Sequence, residues 1–509
     1  MTKRIVFPVM FFGFSLLATV VLGLFITTSV YAQVVGATLS GTVTDPSGAV
    51  IPNAQIVIKN TATGVTRNAR TDSSGFYNTP NLLPGPYSVA VSASGFSTQV
   101  QSGVVLTVGA NQILNVTMQV GKVTNLVQVT GAAPQVQLAT SSIGAVVNST
   151  TVRQLPLNGR SWTDLAKLQP GVNAIVTQFN FSGGANRGNR GFGSQISISG
   201  QRPIENNYRL DGVSLNDYSN GAPGSVLGGN LGVDAIQEFS VLTTNYSAEY
   251  GKTAGGVVNA ITKSGTNQFH GDAYEFLRND ALDAANFFDN FANSPKPSFR
   301  RNQFGVSAGG PIQKDKTFVF GDYEGIRQAK GISTIDTVFS PAARQGNLTT
   351  GTVTVDPSAQ KYLGFYPLPN GTVSGATGIF SFAANQIVSE NYWTARVDHT
   401  FSSKDSLFGT YMYDFTPYSS PDALNNVLIS DETNRQFVVL EETHIFSPAL
   451  VNSVRAGYNR DGAANNVGTS AINPLAGDLS LGAVPGETAA RLDIGGGITR
   501  FLGGLVLPC

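Results

Sequence analysis

The sequence is nearly without cysteine. Cys509, the last residue, is the single one, so no disulfide framework and no cysteine-based metal site can form within the chain. Histidine is almost as scarce. His270, His399 and His444 are far apart, and none opens an H-x-x-E or H-E-x-x-H pattern. A zinc hydrolase is therefore unsupported. Charge is low as well. Asp, Glu, Lys and Arg make up 13% of the chain, about half the roughly 25% usual for soluble proteins. Lys+Arg and Asp+Glu are both 32, and without a basic surplus the electrostatic case for a nucleic-acid partner falls away. After Ile26 no apolar run is long enough for a transmembrane helix.

What is abundant is glycine, at 57, with 30 Phe and 16 Tyr against 2 Trp. Many glycines and aromatics at low charge fit an all-β protein, including an outer-membrane β-barrel. At the N-terminus, Lys3 and Arg4 precede the apolar segment "IVFPVMFFGFSLLATVVLGLFI", and Val30-Tyr31-Ala32 offers small residues at the cleavage-determining places. Residues 1–32 thus read as a secretory signal peptide cleaved after Ala32. An uncleaved membrane anchor is the other reading. Either way the remainder leaves the cytoplasm.

Gly251-Lys252-Thr253 looks like the end of a phosphate-binding loop. The motif's first glycine should fall at position 246, which is Tyr246. Gly255-Gly256 would also interrupt the helix such a loop requires. The following "VVNAIT", closed by "KSGTN", reads as a short buried strand between turns.

Residues 39–120 read as a small β-sandwich. Alternating runs "QIVIKN", "YSVAVSAS" and "QILNVTMQV" are separated by turn chemistry. Asp45-Pro46-Ser47-Gly48 suits a type I turn and Asp72-Ser73-Ser74-Gly75 repeats the idea, while Pro84-Gly85 suits a turn with positive φ. "SGTVTDPSGAVIPNAQIVIKNTATG" and "TDSSGFYNTPNLLPGPYSVAVSASGF" resemble the carboxypeptidase regulatory-like domain. That resemblance implies an immunoglobulin-like sandwich, grouped with carbohydrate-binding-like folds, and no peptidase activity.

Residues 121–134 read as a connector. Within it Leu126, Val127, Gln128, Val129 and Thr130 form a short extended segment. Such a segment can add itself as a strand to a partner's sheet. It can equally be the last strand of the sandwich or the first of the next unit.

Residues 135–265 read as mixed α and β. Thr151 with Gln154 matches a capping box, and Pro156 stops that helix. Ser161 is placed to cap a second helix, with Trp162, Leu165, Ala166 and Gln169 along one face and Pro170-Gly171 at its end. "VRQLPLNGRSWTDLAKLQPGV", "ISISGQRPIENNYRLDGVSLND" and "AEYGKTAGGVVNAITKSGTNQFHG" resemble the plug domain of TonB-dependent outer-membrane receptors. A regulatory-like sandwich ahead of the plug is similar to the Oar-like branch. The resemblance makes the Gly-Gly step and "VVNAITKSGTN" the last plug strand and the turn into the barrel. It makes Asp211 a plug turn residue and not a catalytic acid. It also implies that outward plug loops meet ligand, so Arg187, Arg190 and Arg202 are candidates for contact with an anionic or carbonyl-rich ligand.

Residues 266–509 change character. Strand-length segments recur, and in "NYWTARVDHTF" Trp393, Ala395, Val397, His399 and Phe401 share one face. Tyr392, Thr394, Arg396, Asp398 and Thr400 share the other. That alternation suits strands between lipid and lumen. "FSSKDS" and "IFSPAL" read as short turns, and segments such as 332–390 as long loops. About seven strands are present, against about 22 in barrels of transporters, and the last 45 or so residues read as loop. The barrel region is expected to be part of a longer reading frame.

The expected fold is mainly β: an immunoglobulin-like β-sandwich, a small α+β plug domain and an incomplete antiparallel transmembrane β-barrel. The resemblance implies a Gram-negative outer-membrane transporter, not an enzyme, without cofactor. Its partners would be a TonB-type inner-membrane energy-transducing protein, outer-membrane lipid and an unidentified extracellular ligand, with carbohydrate and peptide both open. A secreted carbohydrate-binding or adhesion protein, with the sandwich as active module, is the alternative.

Overall fold

The computed structural model describes residues 36–121, 126–130, 142–155, 157, 159–175, 195–251, 253–285, 287, 290, 296–447 and 450–505. The fold is mainly β, in three units. The first is a sandwich. One sheet runs β4 (Phe76–Leu82), β1 (Ala37–Thr44), β7 (Asn111–Ile113), with β8 (Val116–Thr117) also on β1. The other runs β3 (Thr66–Arg70), β2 (Gln55–Asn60), β5 (Gly85–Ser92), β6 (Thr98–Leu106), β9 (Leu126–Thr130). Period-two patterning does the work: in β2, Ile56 and Ile58 are buried while Gln55, Val57 and Lys59 face water. Each buried aliphatic side chain contributes about 1.5–3 kcal/mol. The two Asp-led turns form as expected. Asp45 and Asp72 each accept backbone N–H groups with Oδ1, and Gly48 and Gly75 take positive φ.

The second unit is built on the sheet β10 (Ile143–Asn148), β15 (Ile236–Thr244), β16 (Val257–Thr262), β13 (Asn207–Leu210), β14 (Val213–Ser214). β11 (Val172–Ala174) and β12 (Ile196–Ile198) pair beside it. Every residue of β16 is buried, as the apolar run predicts. The Gly-Gly step is needed for close packing: a Cβ on Gly256 would lie 2.4 Å from Ile198 Cγ2. The first helix spans Ser149–Gln154, but its cap is Asn148, whose side chain accepts from Thr151 N; Thr151 is inside the helix. The second is a 3-10 helix, Trp162–Leu168, with no side-chain cap from Ser161. Its Trp162, Leu165 and Ala166 are buried as expected, while Gln169 is the residue that ends it.

The third unit is an antiparallel meander of long strands: β17 (His270–Asn279), β18 (Phe299–Gln313), β19 (Thr317–Phe339), β23 (Thr377–Thr400), β24 (Asp405–Pro421), β25 (Val427–Ser447) and β26 (Leu450–Ala471). The β19–β23 connection holds three two-residue strands: β20 (Asn347–Leu348), β21 (Gly351–Thr352) and β22 (Val373–Ser374). β17 and β26 are the outer strands of this sheet among the described residues.

The two faces alternate as the sequence implies. Tyr392, Thr394, Arg396 and Asp398 are buried against the plug sheet, while Trp393, Val397 and Phe401 are exposed. Tyr323, Trp393 and Tyr413 pair across three strands into an aromatic row. Trp393 and Phe401 are eight residues apart, roughly 26 Å along a strand at about 3.3 Å per residue. At the 35–45° tilt of barrel strands that rises about 20 Å, most of an apolar band about 25 Å tall. Short connections lie at one end, as at 314–316 and 401–404, and mark the periplasmic side.

At the other end the strands overrun the band. Residues 332–339 belong to β19 and 377–390 to β23, so the expected loop shrinks to 340–376. The last residues are not simple loop either. Short turns Pro474–Gly477 and Leu479–Leu481 fold onto the 340–376 connection, and Phe501 stacks on Phe365 at 4.1 Å.

Candidate functional site: the plug seam and its periplasmic face

The second unit sits against the inner wall of the meander. Their cores merge: Trp162, Phe239 and Val258 share one cluster with Phe320, Tyr392, Met412 and Phe437. Within this apolar contact lie three polar clamps.

The lowest centres on Arg396 of β23. Its Nη1 is 3.3 Å from Asp211 Oδ1 and its Nη2 is 2.8 Å from Asp398 Oδ1. Asp211 occupies the β13–β14 turn with φ 45°, which a short polar side chain tolerates. Its carboxylate also accepts from Thr262 N, Thr262 Oγ1 and Thr410 Oγ1. Asp211 is fully buried, and those four partners, all plug or wall groups, give it a structural position.

The second clamp is Arg160, at φ 50° after Gly159. It reaches Asp234 Oδ2 at 2.5 Å and Glu324 Oε1 at 3.0 Å, and lies 4.0 Å over the Tyr274 ring. Glu324 accepts from Gly232 N at 3.1 Å and Gln303 Nε2 at 2.8 Å. Glycine is required at 232: φ is 91°, and a Cβ would lie 2.4 Å from Tyr392 Oη.

The third is Arg435, 3.0 Å from Asn230 Oδ1 and 3.3 Å from Asp414 Oδ2. Val226 N donates to Thr433 Oγ1 at 3.2 Å. The glycine-rich loop 216–232 thus runs along the wall, touching the Arg160 clamp through Gly232 and the Arg435 clamp through Asn230.

The sandwich docks on the periplasmic end. Asn267 Nδ2 donates to Thr63 O at 2.8 Å and Asn267 N to Ala62 O at 3.0 Å. Asn81 Nδ2 donates to Glu441 Oε1 at 3.2 Å and Thr443 Oγ1 at 3.1 Å. Val108 packs on Ile261 and Val146, and its N–H donates to Glu238. Burial pushes the Glu238 carboxyl up to about 7, a rise the Val108 hydrogen bond only partly offsets. Burial pushes nearby Lys263 down to about 8. A cavity of about 120 Å³ remains between sandwich, plug and barrel, lined in part by Asn60, Arg67, Tyr87, Ile261 and Asp398.

Leu126–Thr130 is β9, the edge strand of the sandwich's second sheet. It runs parallel to β6, with Thr98 opposite Leu126 and Ser102 opposite Thr130. Arg187 and Arg190 lie outside the described residues. Arg202 is exposed and precedes the turn Pro203–Glu205, which Asn220 of the loop 216–232 holds through Ile204 O. The clamp residues Arg160, Asp234, Glu324, Asp414 and Arg435 were not legible as a set. The one available signal was Arg396 and Asp398 on the lumen-facing side of a lipid-and-lumen alternation. Asp405, Glu442 and His444 form an acidic and imidazole group on the outer face, where His444 Nδ1 pairs with Asp405 Oδ1 at 2.5 Å.

Three family models match the chain: carboxypeptidase regulatory-like domain over residues 38–119, TonB-dependent receptor plug domain over 135–258, and outer membrane β-barrel domain over 261–501. The TonB-dependent transporter Oar of Myxococcus xanthus is 27% identical over 325 residues, 59% of this chain and 27% of that protein. The ferrienterobactin receptor of Escherichia coli (strain K12) is 32% identical over 140 residues, 26% of this chain and 18% of that one. Among solved structures, the outer membrane transporter YddB from Escherichia coli has a TM-score of 0.42 at 14% identity, covering 64% of this chain and 39% of that one. The chain spans about a quarter or less of the length of the curated relatives it matches. Barrel and plug domains of this kind belong to the outer membrane of Gram-negative cells.

Proposed function

From a chain that carries the plug and barrel domains of the TonB-dependent outer-membrane receptors, in the Oar-like order behind a regulatory-like sandwich, we propose energy-coupled transport across the outer membrane. Ligand binds from outside, at the loop 216–232 and the arginine-bearing plug loops. A TonB-type inner-membrane protein engages the connector at Leu126–Thr130 and pulls. The plug then shifts and the ligand passes. The same pull would serve import or export; import is the direction tested below. Asp211, the buried acid at a strand end, is held by Thr262, Thr410 and Arg396 and is not placed as a catalytic acid on this reading.

The observation that carries this reading is the chemistry of the seam. The plug is held by arginine–carboxylate clamps and not by apolar contact alone. Charged groups leaving one another can be taken up by water, whereas a purely apolar seam offers water nothing. Exposed Arg202 beside the loop 216–232 supports an anionic or carbonyl-rich ligand.

The test compares solute depletion from the medium by cells carrying the intact protein, a Leu126–Thr130 deletion, or neither. At least one solute should be depleted by the intact protein alone, and the deletion should still hold that solute at the cell surface. Equal depletion by all three, with glycan retained by the deletion variant, would move the adhesion reading ahead.

A further inference from the structure

We propose that the ligand of this protein is a basic peptide, and that Glu390, Asp414, Asp431 and Asp461 form the wall that reads its charge. This deepens the transport reading and rests on it.

The four carboxylates lie on the lumen side of four neighbouring strands. Asp414 of β24, Arg435 of β25 and Asp461 of β26 stand in register. Glu390 of β23 is two residues from Tyr392, the partner of Asp414. Asp431 is four residues from Arg435, on the same face of β25. At about 4.8 Å between strands the row is roughly 14 Å wide. Glu390, Asp414 and Asp431 are buried.

The charges in this row do not balance. Its one cation among the described residues is Arg435, which Asp414 and Asn230 already engage. Arg301 of β18 turns to Gln328. The loop 216–232 covers the row through Val226, Asn230 and Ser225. It brings no Lys or Arg, and its single charged residue is Asp217. Burying carboxylates is costly unless a partner compensates them.

A second observation points to a ligand. Glu390 is 1% exposed, yet its Oε1 has no hydrogen-bond partner among the described residues, and neither has Asp461 Oδ1. The Glu390 and Asp414 carboxyls also touch, and two carboxyls in contact need a proton or a cation between them. Buried acceptors left open call for a donor.

A single metal ion is a poor fit for that donor. Among the described residues, no three of these carboxylates bring oxygens close enough to share one ion. Separate ammonium or guanidinium groups along one chain fit a row spread over four strands. The main-chain carbonyls of the same chain suit exposed Arg202. A basic peptide carries both, and it reaches the row once the loop 216–232 lifts.

The test uses the full chain extracted in neutral detergent and three labelled peptides of equal length: alternating Ala and Lys, Ala and Gln, or Ala and Glu. The lysine peptide should bind and the other two should not. Glu390→Gln with Asp461→Asn preserves shape and leaves Asp414 to hold Arg435. It should weaken lysine-peptide binding at least about tenfold. Asp431→Asn alone, a milder change, should weaken it in the same direction. Equal binding of all three peptides, no binding of the lysine peptide, or binding that both variants leave intact would overturn the proposal. So would displacement of the lysine peptide by equimolar calcium, which would make the row an inorganic cation site. Cells separate this idea from the transport reading. If the extract binds the lysine peptide but cells carrying the protein deplete it no faster than cells without it, the charge-reading wall stands and transport fails.

Discussion

The plug is held to its wall and to the sandwich below it by two seams of different character. The upper seam merges two apolar cores and sets three arginine clamps into them, at half-buried Arg160 and buried Arg396 and Arg435. The lower seam has one small apolar contact around Val108, a few hydrogen bonds from asparagine side chains and a residual cavity. Strength therefore rises from the periplasmic face inward. Strain applied from the periplasmic side would load the weaker seam first.

The most damaging single change to the upper seam should be Arg396→Ala. It strands Asp211 and Asp398 against each other without their cation, and removing one partner of a buried pair costs about 3–5 kcal/mol. Thermal unfolding of the extracted protein should show the loss. A variant as stable as the original would mean that water already solvates this clamp.

The lower seam should respond to pH. Glu238 has a carboxyl raised from 4.5 to about 7 in the docked state. A raised carboxyl contributes fully below its free value, and that contribution is lost as pH climbs through about 7. At roughly 1.4 kcal/mol per pH unit the window from 4.5 to about 7 gives a swing of about 3–4 kcal/mol. Hydrogen-exchange protection of residues 107–110 should fall between pH 5 and 8, and Glu238→Gln should flatten the curve. Protection that rises with pH would reverse the assignment.

Gly232→Ala sharpens the contrast from above. Its Cβ would collide with the Tyr392 hydroxyl at a positive φ. A cost of about 1–3 kcal/mol is expected for overpacking, and Tyr392→Phe should recover part of it. If Tyr392→Phe recovers nothing, the cost lies with the ring, whose Cζ and Cε1 would be 2.5 and 2.7 Å from the new Cβ, and with the backbone angle. The mildest change is Asn81→Gly, because Asn81 sits at φ 56°, which glycine tolerates and alanine does not. It removes hydrogen bonds worth about 0.5–1.5 kcal/mol and should speed proteolytic release of the sandwich while leaving the plug protected.

Local chemistry made much of this readable in advance. The Asp45 and Asp72 turns, the strand "VVNAIT" and the face assignment of Trp393 against Arg396 each depend on residues a few positions apart. The clamps do not. Arg396 meets Asp211 across 185 positions, and no local pattern announces that meeting. The helix cap moved from Thr151 to Asn148 because either side chain can accept the orphan N–H groups; the end of β10 decided between them. Residues 332–390 read as loop because strands beyond the membrane have no lipid to face. They lose the apolar alternation by which a spanning strand is known. The terminal segment read as loop for a related reason: its core is completed by Phe365, far back in the chain.

The aromatic row Tyr323–Trp393–Tyr413 sets more than the height at which the barrel floats. Arg396 lies three residues along from Trp393, roughly 10 Å along the strand at about 3.3 Å per residue and so about 7–8 Å below the interface at a 35–45° tilt. The clamp is thus inside the slab that insulates the cell from its surroundings. There the paired guanidinium and carboxylates fill the seam between plug and wall with bound charge. On the transport reading proposed above, parting this clamp would also admit water and ions to that seam.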